Sequence, residues 1–241
     1  EETLAKNRAL QQWRTEDSIE LYGIRNWGAG YFNVNDKGDV VICPDGPEGP
    51  QIAITEIIAG LQERGYDMPV LLRVENILDS RISSLHKAFR KAISELNYRG
   101  QYRGVFPIKV NQQQQVVEKI AQFGAQYHHG LEVGSKAELI AAVAMMRDTE
   151  ACLICNGYKD EEFVDLGLQA QRLGFNVFFV LEMPSELEIV LERSKALGVR
   201  PKIGARAKLA VKAGGHWTDS GGERSTFGLS VAQIVDVVDT L

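Results

Sequence analysis

The sequence predicts an α/β protein that begins as a (β/α)8 barrel of the TIM type and is preceded by a β-rich segment. Short apolar runs alternate with amphipathic helical patterns, and the five runs are GVFPIKVN, HGLEVGS, ACLICNG, NVFFVLEM and KIGARAKL. Such alternation predicts parallel strands joined by helical crossovers. The first run lacks the Gly-x-Gly-x-x-Gly pattern of an open dinucleotide-binding sheet, which favours the barrel.

Only the first five or so strand-helix units are present before Leu241, which lies in a sixth helical pattern, SVAQIVDVVDTL. A complete barrel has about eight such units. We therefore expect the sequence to be a fragment of a longer protein. The predicted division is an N-terminal β-rich segment with one helix at 1–67, which would belong to a second β domain, and a partial barrel at 68–241.

The N-terminal segment is predicted to be mainly β, because residues 18–43 contain short apolar runs broken by glycine and asparagine. The sequence NDKGD within it has the composition of a hairpin turn. One helix is expected at 55–65, and a longer helix at 79–96 with Asp79 as its N-cap.

The composition is that of an ordinary globular protein, with 44% hydrophobic and 24% charged residues in 241. The net charge of −5 is spread along the chain, so the sequence predicts no nucleic-acid partner. No apolar run reaches the roughly 18 residues of a membrane span, and no signal peptide is recognisable. These features predict a cytoplasmic protein without a membrane partner.

Two short clusters suggest metal or redox chemistry, and both are better explained by structure. Cys152 and Cys155 are three apart in a predicted strand, so their side chains should point to opposite faces and pack separately. His128 and His129 with Glu132 lack a further ligand at suitable spacing, which favours a structural role. No metal ligands are assigned from the sequence.

Lys109 is an unusual residue for its position, at the carboxyl end of the first predicted barrel strand, where barrel enzymes place their chemistry. Burial there would favour the neutral amine that Schiff-base chemistry requires. An ordinary lysine that reaches solvent from the strand end is the alternative. Asn111 is predicted to cap the following helix with Gln114 at its third position.

Four motifs resemble the fold-type III, alanine racemase-like decarboxylases that use pyridoxal phosphate. VFPIKVNQ resembles their lysine strand, GLEVGSKAEL the second-strand signature, KIGARAKL the arginine-bearing fifth strand and ERSTFGL the Ser-Lys-Phe-Gly segment. The glutamine run and the stretch RNWGAGYF are similar to the biosynthetic arginine decarboxylase branch of that family. The likeness extends along essentially the whole chain.

The resemblance implies that Lys109 forms the Schiff base with pyridoxal phosphate, and that Glu132 and Arg206 bind the cofactor with it. Glu138 also matches an acidic family position, but Ser135-Lys-Ala-Glu is a capping box that explains it equally well. Thr226 stands where the family has lysine in its Ser-Lys-Phe-Gly segment.

The activity implied by the resemblance is the decarboxylation of L-arginine to agmatine and CO2, at the start of putrescine and spermidine synthesis. Mg²⁺ and a homo-oligomer, dimer or tetramer, are expected from the resemblance alone. Four further family features are not found before Leu241: a histidine on the sixth strand, a glycine-rich phosphate loop, an acidic partner of the pyridinium nitrogen, and a cysteine-aspartate pair from a neighbouring subunit. The parent protein is therefore expected to be an enzyme, and this chain alone inactive.

Two alternatives remain open. A diaminopimelate or ornithine decarboxylase would share Lys109 and Arg206, and a non-catalytic homologue would bind the cofactor without turnover. The glycine-rich stretch 213–228 is interpreted as a loop at the rim of the site, with a possible role as a lid.

Overall fold

The structure is a computed structural model that describes residues 13–208 and 225–241. The chain forms two compact units, one ending at Arg81 and the other beginning at Ile82. The sequence-based boundary between residues 67 and 68 remains a prediction. Within the described residues, no helix combines the length and the hydropathy that a membrane crossing requires.

The first unit contains a small antiparallel sheet and helices, and its start differs from the prediction. Strands β1 (Phe32–Val34), β2 (Val40–Ile42) and β3 (Ile52–Ala53) pair antiparallel in the order β1-β2-β3. The predicted hairpin turn is confirmed, because the Asn35 side-chain oxygen accepts hydrogen bonds from the Lys37 and Asp39 amides at 3.0 and 2.9 Å.

The β prediction for residues 18–28 is wrong, because helices α1 (Thr15–Leu21) and α2 (Ile24–Gly28) occupy this stretch. Glu16 and Asp17 lie in the first turn of α1, where carboxylates stabilise a helix N-terminus, and Asp17 accepts a hydrogen bond from the Arg14 amide at 2.9 Å. Helix α3 (Ile54–Glu63) overlaps the helix predicted at 55–65, beginning one residue and ending two residues earlier.

Helix α4 spans Glu75–Glu95 and includes the junction between the units. It begins four residues before Asp79, so the predicted N-cap is wrong, and Asp79 lies inside the helix. Its Oδ1 atom is buried and has no hydrogen-bond partner among the described residues.

The second unit contains the predicted parallel sheet, with five strands in the sequential order β4-β5-β6-β7-β8. Sequential order without a reversal is that of the start of a barrel, which confirms the predicted fold class. The strands are β4 (Val105–Pro107), β5 (Gly130–Val133), β6 (Cys152–Cys155), β7 (Asn176–Leu181) and β8 (Ile203–Ala205). The helices are α5 (Gln114–Gly124), α6 (Lys136–Met145), α7 (Glu161–Arg172), α8 (Ser185–Leu197) and α9 (Val231–Thr240).

The core of this unit lies on one face of the sheet. In β7, Val177, Phe179 and Leu181 are fully buried, whereas the residues between them are half-buried. Gly167 of α7 lies against Phe179, so this buried face is the one that the helices cover. The opposite, half-buried face corresponds to the inside of a barrel, and it carries Glu132.

Candidate functional site at the carboxyl ends of the strands

The carboxyl ends of the five strands form the candidate site. The strands are parallel and in register, with Pro107 opposite Glu132 and Glu132 opposite Ile154. Residues at matched positions of neighbouring parallel strands share a face. This register brings Glu132, the residue that follows β6 and the residues that follow β7 and β8 to one edge of the sheet.

Lys109 lies just beyond the first strand rather than on it. Strand β4 ends at Pro107, which has no N–H to continue the ladder, and a 3₁₀ turn over Ile108–Val110 carries the lysine. Lys109 is exposed, so the burial expected from the sequence is not observed. It makes no hydrogen bond or ion pair with any described residue. Lys109 thus lies at the expected edge of the sheet with an exposed amine.

Glu132 is buried on the inner face and is fixed by a neighbour that the sequence analysis missed. It is 7% exposed, and its Oε1 accepts a hydrogen bond from Asn156 Nδ2 at 2.9 Å. Asn156 directly follows β6, so one strand end orients the carboxylate of the previous one. No ion pair joins Glu132 to Lys109.

Arg206 directly follows β8 and is held by Glu182, which directly follows β7. The Arg206 Nη1 atom donates to Glu182 Oε2 at 3.1 Å and to Oε1 at 3.3 Å. The Glu182 side chain is 2% exposed, whereas the Arg206 side chain is 43% exposed. The arginine therefore keeps an accessible guanidinium while a buried carboxylate anchors one side of it.

A second ion pair lies behind this one. Lys159 Nζ is 3.2 Å from Glu186 Oε2, and the side chains are 0% and 2% exposed. Burial lowers the pKa of Lys159, and the Glu186 carboxylate opposes that shift. Lys159 lies in the loop between β6 and α7, and Glu186 in the first turn of α8. The pair thus joins the loop after β6 to the first turn of α8 at the same end of the sheet.

Gly157 allows the loops after β5 and β6 to approach each other closely. Its φ of +71° is in the left-handed region, and a Cβ there would lie 2.4 Å from the Gly134 carbonyl oxygen. Only glycine fits this position without movement of the backbone.

The segment matching Ser-Lys-Phe-Gly also reaches the site. Phe227 stacks on Tyr158 with ring centroids 5.0 Å apart, and the Arg206 guanidinium carbon lies 5.4 Å from the Phe227 centroid. The Gly228 amide donates to the Glu182 carbonyl oxygen at 2.9 Å. Thr226, which replaces the family lysine, is exposed. Residues 213–224 of the proposed lid lie outside the described residues.

The predicted capping box is formed only in part. The Glu138 amide donates to Ser135 Oγ at 3.3 Å, as predicted, but the Glu138 carboxylate accepts from the Gly134 amide at 2.7 Å rather than from the Ser135 amide. Gln112 also donates to this carboxylate at 3.2 Å.

The predicted Asn111 cap is wrong, since α5 begins at Gln114 with Gln113 as N-cap, and Asn111 instead accepts from the Gln113 amide at 3.1 Å.

The two histidines of the cluster have different partners. His129 is buried and lies 3.0 Å from His86, ring nitrogen to ring nitrogen, whereas His128 pairs with Asp148 at 2.9 Å. Burial is the main cause that lowers the pKa of His129 to about 4, with His86 adding to the shift. The described residues contain no group of three histidine, cysteine, aspartate or glutamate side chains that could hold a metal ion.

The two cysteines occupy opposite faces of β6, as the strand spacing predicts. Cys155 is fully buried and Cys152 is half-buried, and both are free thiols. Burial raises the pKa of Cys155 to about 12. The two thiols therefore lie on opposite sides of the sheet.

The donor set at the strand ends fits a phosphorylated aldehyde cofactor. Lys109 offers an unpaired amine for an aldehyde, and Arg206 offers a part-exposed guanidinium for anionic or phenolic oxygen. Gly204 pairs with Val180 on the inner face, two residues before Arg206, and has no side chain to compete with the arginine. The structure thus provides a reactive group and a cationic group on separate strand ends.

The residues missed from the sequence share a simple signal. Asn156 and Glu182 are the first polar residues after an apolar strand, the position at which barrel enzymes place functional side chains. Lys159 and Glu186 give no such signal, because their partnership depends on a contact between positions 27 apart.

The chain is similar in sequence to known decarboxylases. A sequence profile described as "Pyridoxal-dependent decarboxylase, pyridoxal binding domain" matches residues 80–241. The biosynthetic arginine decarboxylase of Gloeobacter violaceus is 47% identical over 232 residues, which are 96% of this chain and 36% of that protein. The one from Rhodopirellula baltica is 47% identical over 230 residues, 95% of this chain and 34% of that protein. The chain thus spans about a third of the length of these relatives.

Solved structures agree with the fold. The crystal structure of the biosynthetic arginine decarboxylase from Campylobacter jejuni superposes with a TM-score of 0.78 at 31% identity, covering 91% of this chain and 35% of that chain. Diaminopimelate decarboxylase from M. jannaschii gives a TM-score of 0.64 at 19% identity, covering 89% and 45%. At that identity the second likeness shows the fold alone.

Proposed function

The chain belongs to the pyridoxal-dependent decarboxylase family, and from this premise we propose that it provides the cofactor lysine of an arginine decarboxylase. The reaction removes the carboxylate of L-arginine as CO2 and leaves agmatine. The bond between Cα and the carboxylate breaks, its electron pair stays on Cα, and a proton takes the place of the carboxylate. The pathway to putrescine and spermidine follows from the same proposal.

The observation that carries the proposal is the position of Lys109 at the same sheet edge as Glu132 and Arg206. Lys109 would bind the cofactor aldehyde, and Arg206 would line the cofactor site. When bound, pyridoxal phosphate withdraws electrons from the substrate Cα. The Lys109 Nζ, which has no partner among the described residues, could carry the proton to Cα.

Glu132 is proposed to present a fixed carboxylate at the same edge of the sheet. The hydrogen bond from Asn156 leaves one of its two oxygens without a side-chain donor among the described residues. Burial at 7% exposure limits competition by water. A fixed, desolvated acceptor of this kind can orient a cationic group of the bound reactants.

The choice of arginine as substrate rests on the relatives, which are arginine decarboxylases at 47% identity. No described side chain on the inner face selects arginine by itself. Magnesium, the oligomeric assembly, the cytoplasmic location and the inactivity of the chain alone remain predictions from the sequence. A diaminopimelate decarboxylase is the second candidate only through its fold.

The decisive experiment identifies the lysine that carries the cofactor. The full-length protein is loaded with pyridoxal phosphate, reduced with borohydride and digested, and the modified peptide is found by mass spectrometry. We expect the label on Lys109 and not on Lys159, which is fully buried and already paired with Glu186. Label on another lysine would refute the assignment.

Turnover gives the second arm of the test. We expect Lys109→Ala to lower CO2 release from L-arginine by at least about a hundredfold, the range associated with loss of an acid-base group. Lys136→Ala, which removes an amine on the nearby surface, is the matched control and should keep its activity. Faster turnover of diaminopimelate or ornithine than of arginine would reject the substrate.

A further inference from the structure

We propose that the buried pair Lys159–Glu186 positions Arg206 for the cofactor, acting through Glu182. The proposal rests on the function proposed above, in which Arg206 lines the cofactor site. Lys159 and Glu186 take no part in that function as described so far. They are positioning residues in this proposal, because neither side chain is exposed enough to reach a ligand at the strand ends.

Glu186 is the centre of the network. Its Oε1 accepts from the Lys159 amide at 3.0 Å, and its Oε2 accepts from Lys159 Nζ at 3.2 Å and from the Glu182 amide at 2.8 Å. One carboxylate therefore binds the loop after β6 and the end of β7. Three donors around one buried carboxylate leave it little freedom to move.

Glu182 extends the network to the accessible arginine. Its Oε1 accepts from the Gly157 amide at 3.3 Å, and both of its oxygens accept from Arg206 Nη1. Lys159 Nζ donates to the Gly157 carbonyl oxygen at 2.7 Å, so the lysine also fixes the residue that orients Glu182. Lys159 thus reaches Glu182 by two routes, through Glu186 and through Gly157.

The distribution of exposure gives the network a direction. Lys159, Glu186 and Glu182 are between 0% and 2% exposed at the side chain, whereas Arg206 is 43% exposed. The four charges cancel, which allows them to be buried together. Arg206 is the only accessible member of this network, so the network fixes a cation at the strand ends, where an anion can bind it.

A purely structural role is the competing interpretation, because buried ion pairs also join loops. The two interpretations differ in what they predict for Arg206. Loss of a structural pair lowers stability and leaves Arg206 paired with Glu182. Loss of a positioning pair frees Glu182 and therefore changes the chemical reactivity of the Arg206 guanidinium.

The test measures that reactivity in the cofactor-free, full-length protein. A dicarbonyl reagent modifies arginine, and peptide mass spectrometry follows the rate at Arg206. Glu186→Gln removes the central charge, and the double variant Lys159→Met/Glu186→Gln leaves no unpaired buried ion. The matched control is Lys136→Met/Glu162→Gln, which removes an exposed pair of the same residue types.

We expect the rate at Arg206 to rise about tenfold in both network variants, the effect of losing a hydrogen bond to a charged group. The dissociation constant of pyridoxal phosphate should rise by a similar factor, and the control should change neither quantity. An unchanged Arg206 rate in a folded network variant would overturn the proposal. A faster Arg206 reaction with unchanged cofactor affinity would overturn it as well.

The unmodified protein gives a measurement that does not depend on folding of a variant. Arg206 should react at least about tenfold more slowly than Arg200, which is exposed and has no carboxylate partner among the described residues. Equal rates would overturn the proposal. Arg206 protection in a protein that binds no pyridoxal phosphate would keep the network and refute the proposed function, so the two failures are distinguishable.

Discussion

Gly157 offers a sharp test of how the loops are packed at the site. Its φ of +71° and the 2.4 Å separation between a built Cβ and the Gly134 carbonyl oxygen make Gly157→Ala unfavourable in two ways. A side chain in the left-handed region costs roughly 1–2 kcal/mol. Forcing extra atoms into a packed region costs about 1–3 kcal/mol more. The expected loss in the free energy of unfolding is therefore about 2–5 kcal/mol.

Gly198→Ala is the matched control, because it shares the backbone strain and lacks the close contact. Gly198 has a φ of +65°, and no atom lies within 4 Å of a built Cβ. This variant should lose only the roughly 1–2 kcal/mol of the left-handed conformation. The difference between the two variants then isolates the contact between the loops after β5 and β6.

The measurement is urea unfolding of the full-length protein, followed by circular dichroism without cofactor. Equal losses in the two variants would refute the reasoning, since the close approach of Gly134 would then contribute nothing. A larger loss in Gly198→Ala would refute it equally. The test is independent of any activity, so it addresses the packing alone.

Two further predictions concern other parts of the barrel unit. Unfolded His129 binds a proton below its ordinary pKa of 6.5, whereas burial lowers the pKa of folded His129 to about 4, so its contribution to stability is complete above pH 6.5 and is lost as the pH falls towards 4. The urea midpoint should therefore fall less steeply with decreasing pH in His129→Gln than in the unmodified protein. Parallel curves for the two proteins would contradict the burial of His129 beside His86. Ser135→Ala should lower the free energy of unfolding by about 1 kcal/mol, because it removes the acceptor for the Glu138 amide. Ser185→Ala is the control, since Ser185 lies in the first turn of α8 and makes no side-chain capping bond, and it should change the free energy of unfolding little. Equal urea midpoints for the two variants would contradict the capping role of Ser135.

The sequence predicted the sheet because apolar runs of four to eight residues bounded by glycine are strong strand signals. The position of the candidate site was also predictable, because parallel strands place all their carboxyl ends at one edge of the sheet. Ser135 was also predictable, because a capping box depends only on residues three apart. These features are local or follow directly from the order of elements.

Other features depend on contacts that no local pattern contains. The ion pair of Lys159 with Glu186 joins positions 27 apart, and it forms only because folding brings the loop after β6 next to the first turn of α8. The exposure of Lys109 depends on the 3₁₀ turn that follows Pro107. Helix α1 was missed because its seven residues are too few for a clear helical period, and capping contacts around Asp17 determine it instead.

The hydrogen bonds at the strand ends divide the site into two groups. Glu132 and Asn156 form one group, and the network from Lys159 to Arg206 forms the other, with Gly157 adjoining both through its neighbours. Residues that share a partner change stability non-additively when they are substituted together, whereas separate groups respond almost independently. Directed evolution of substrate preference should therefore vary the residues within each group together, whereas substitutions in different groups can be selected separately.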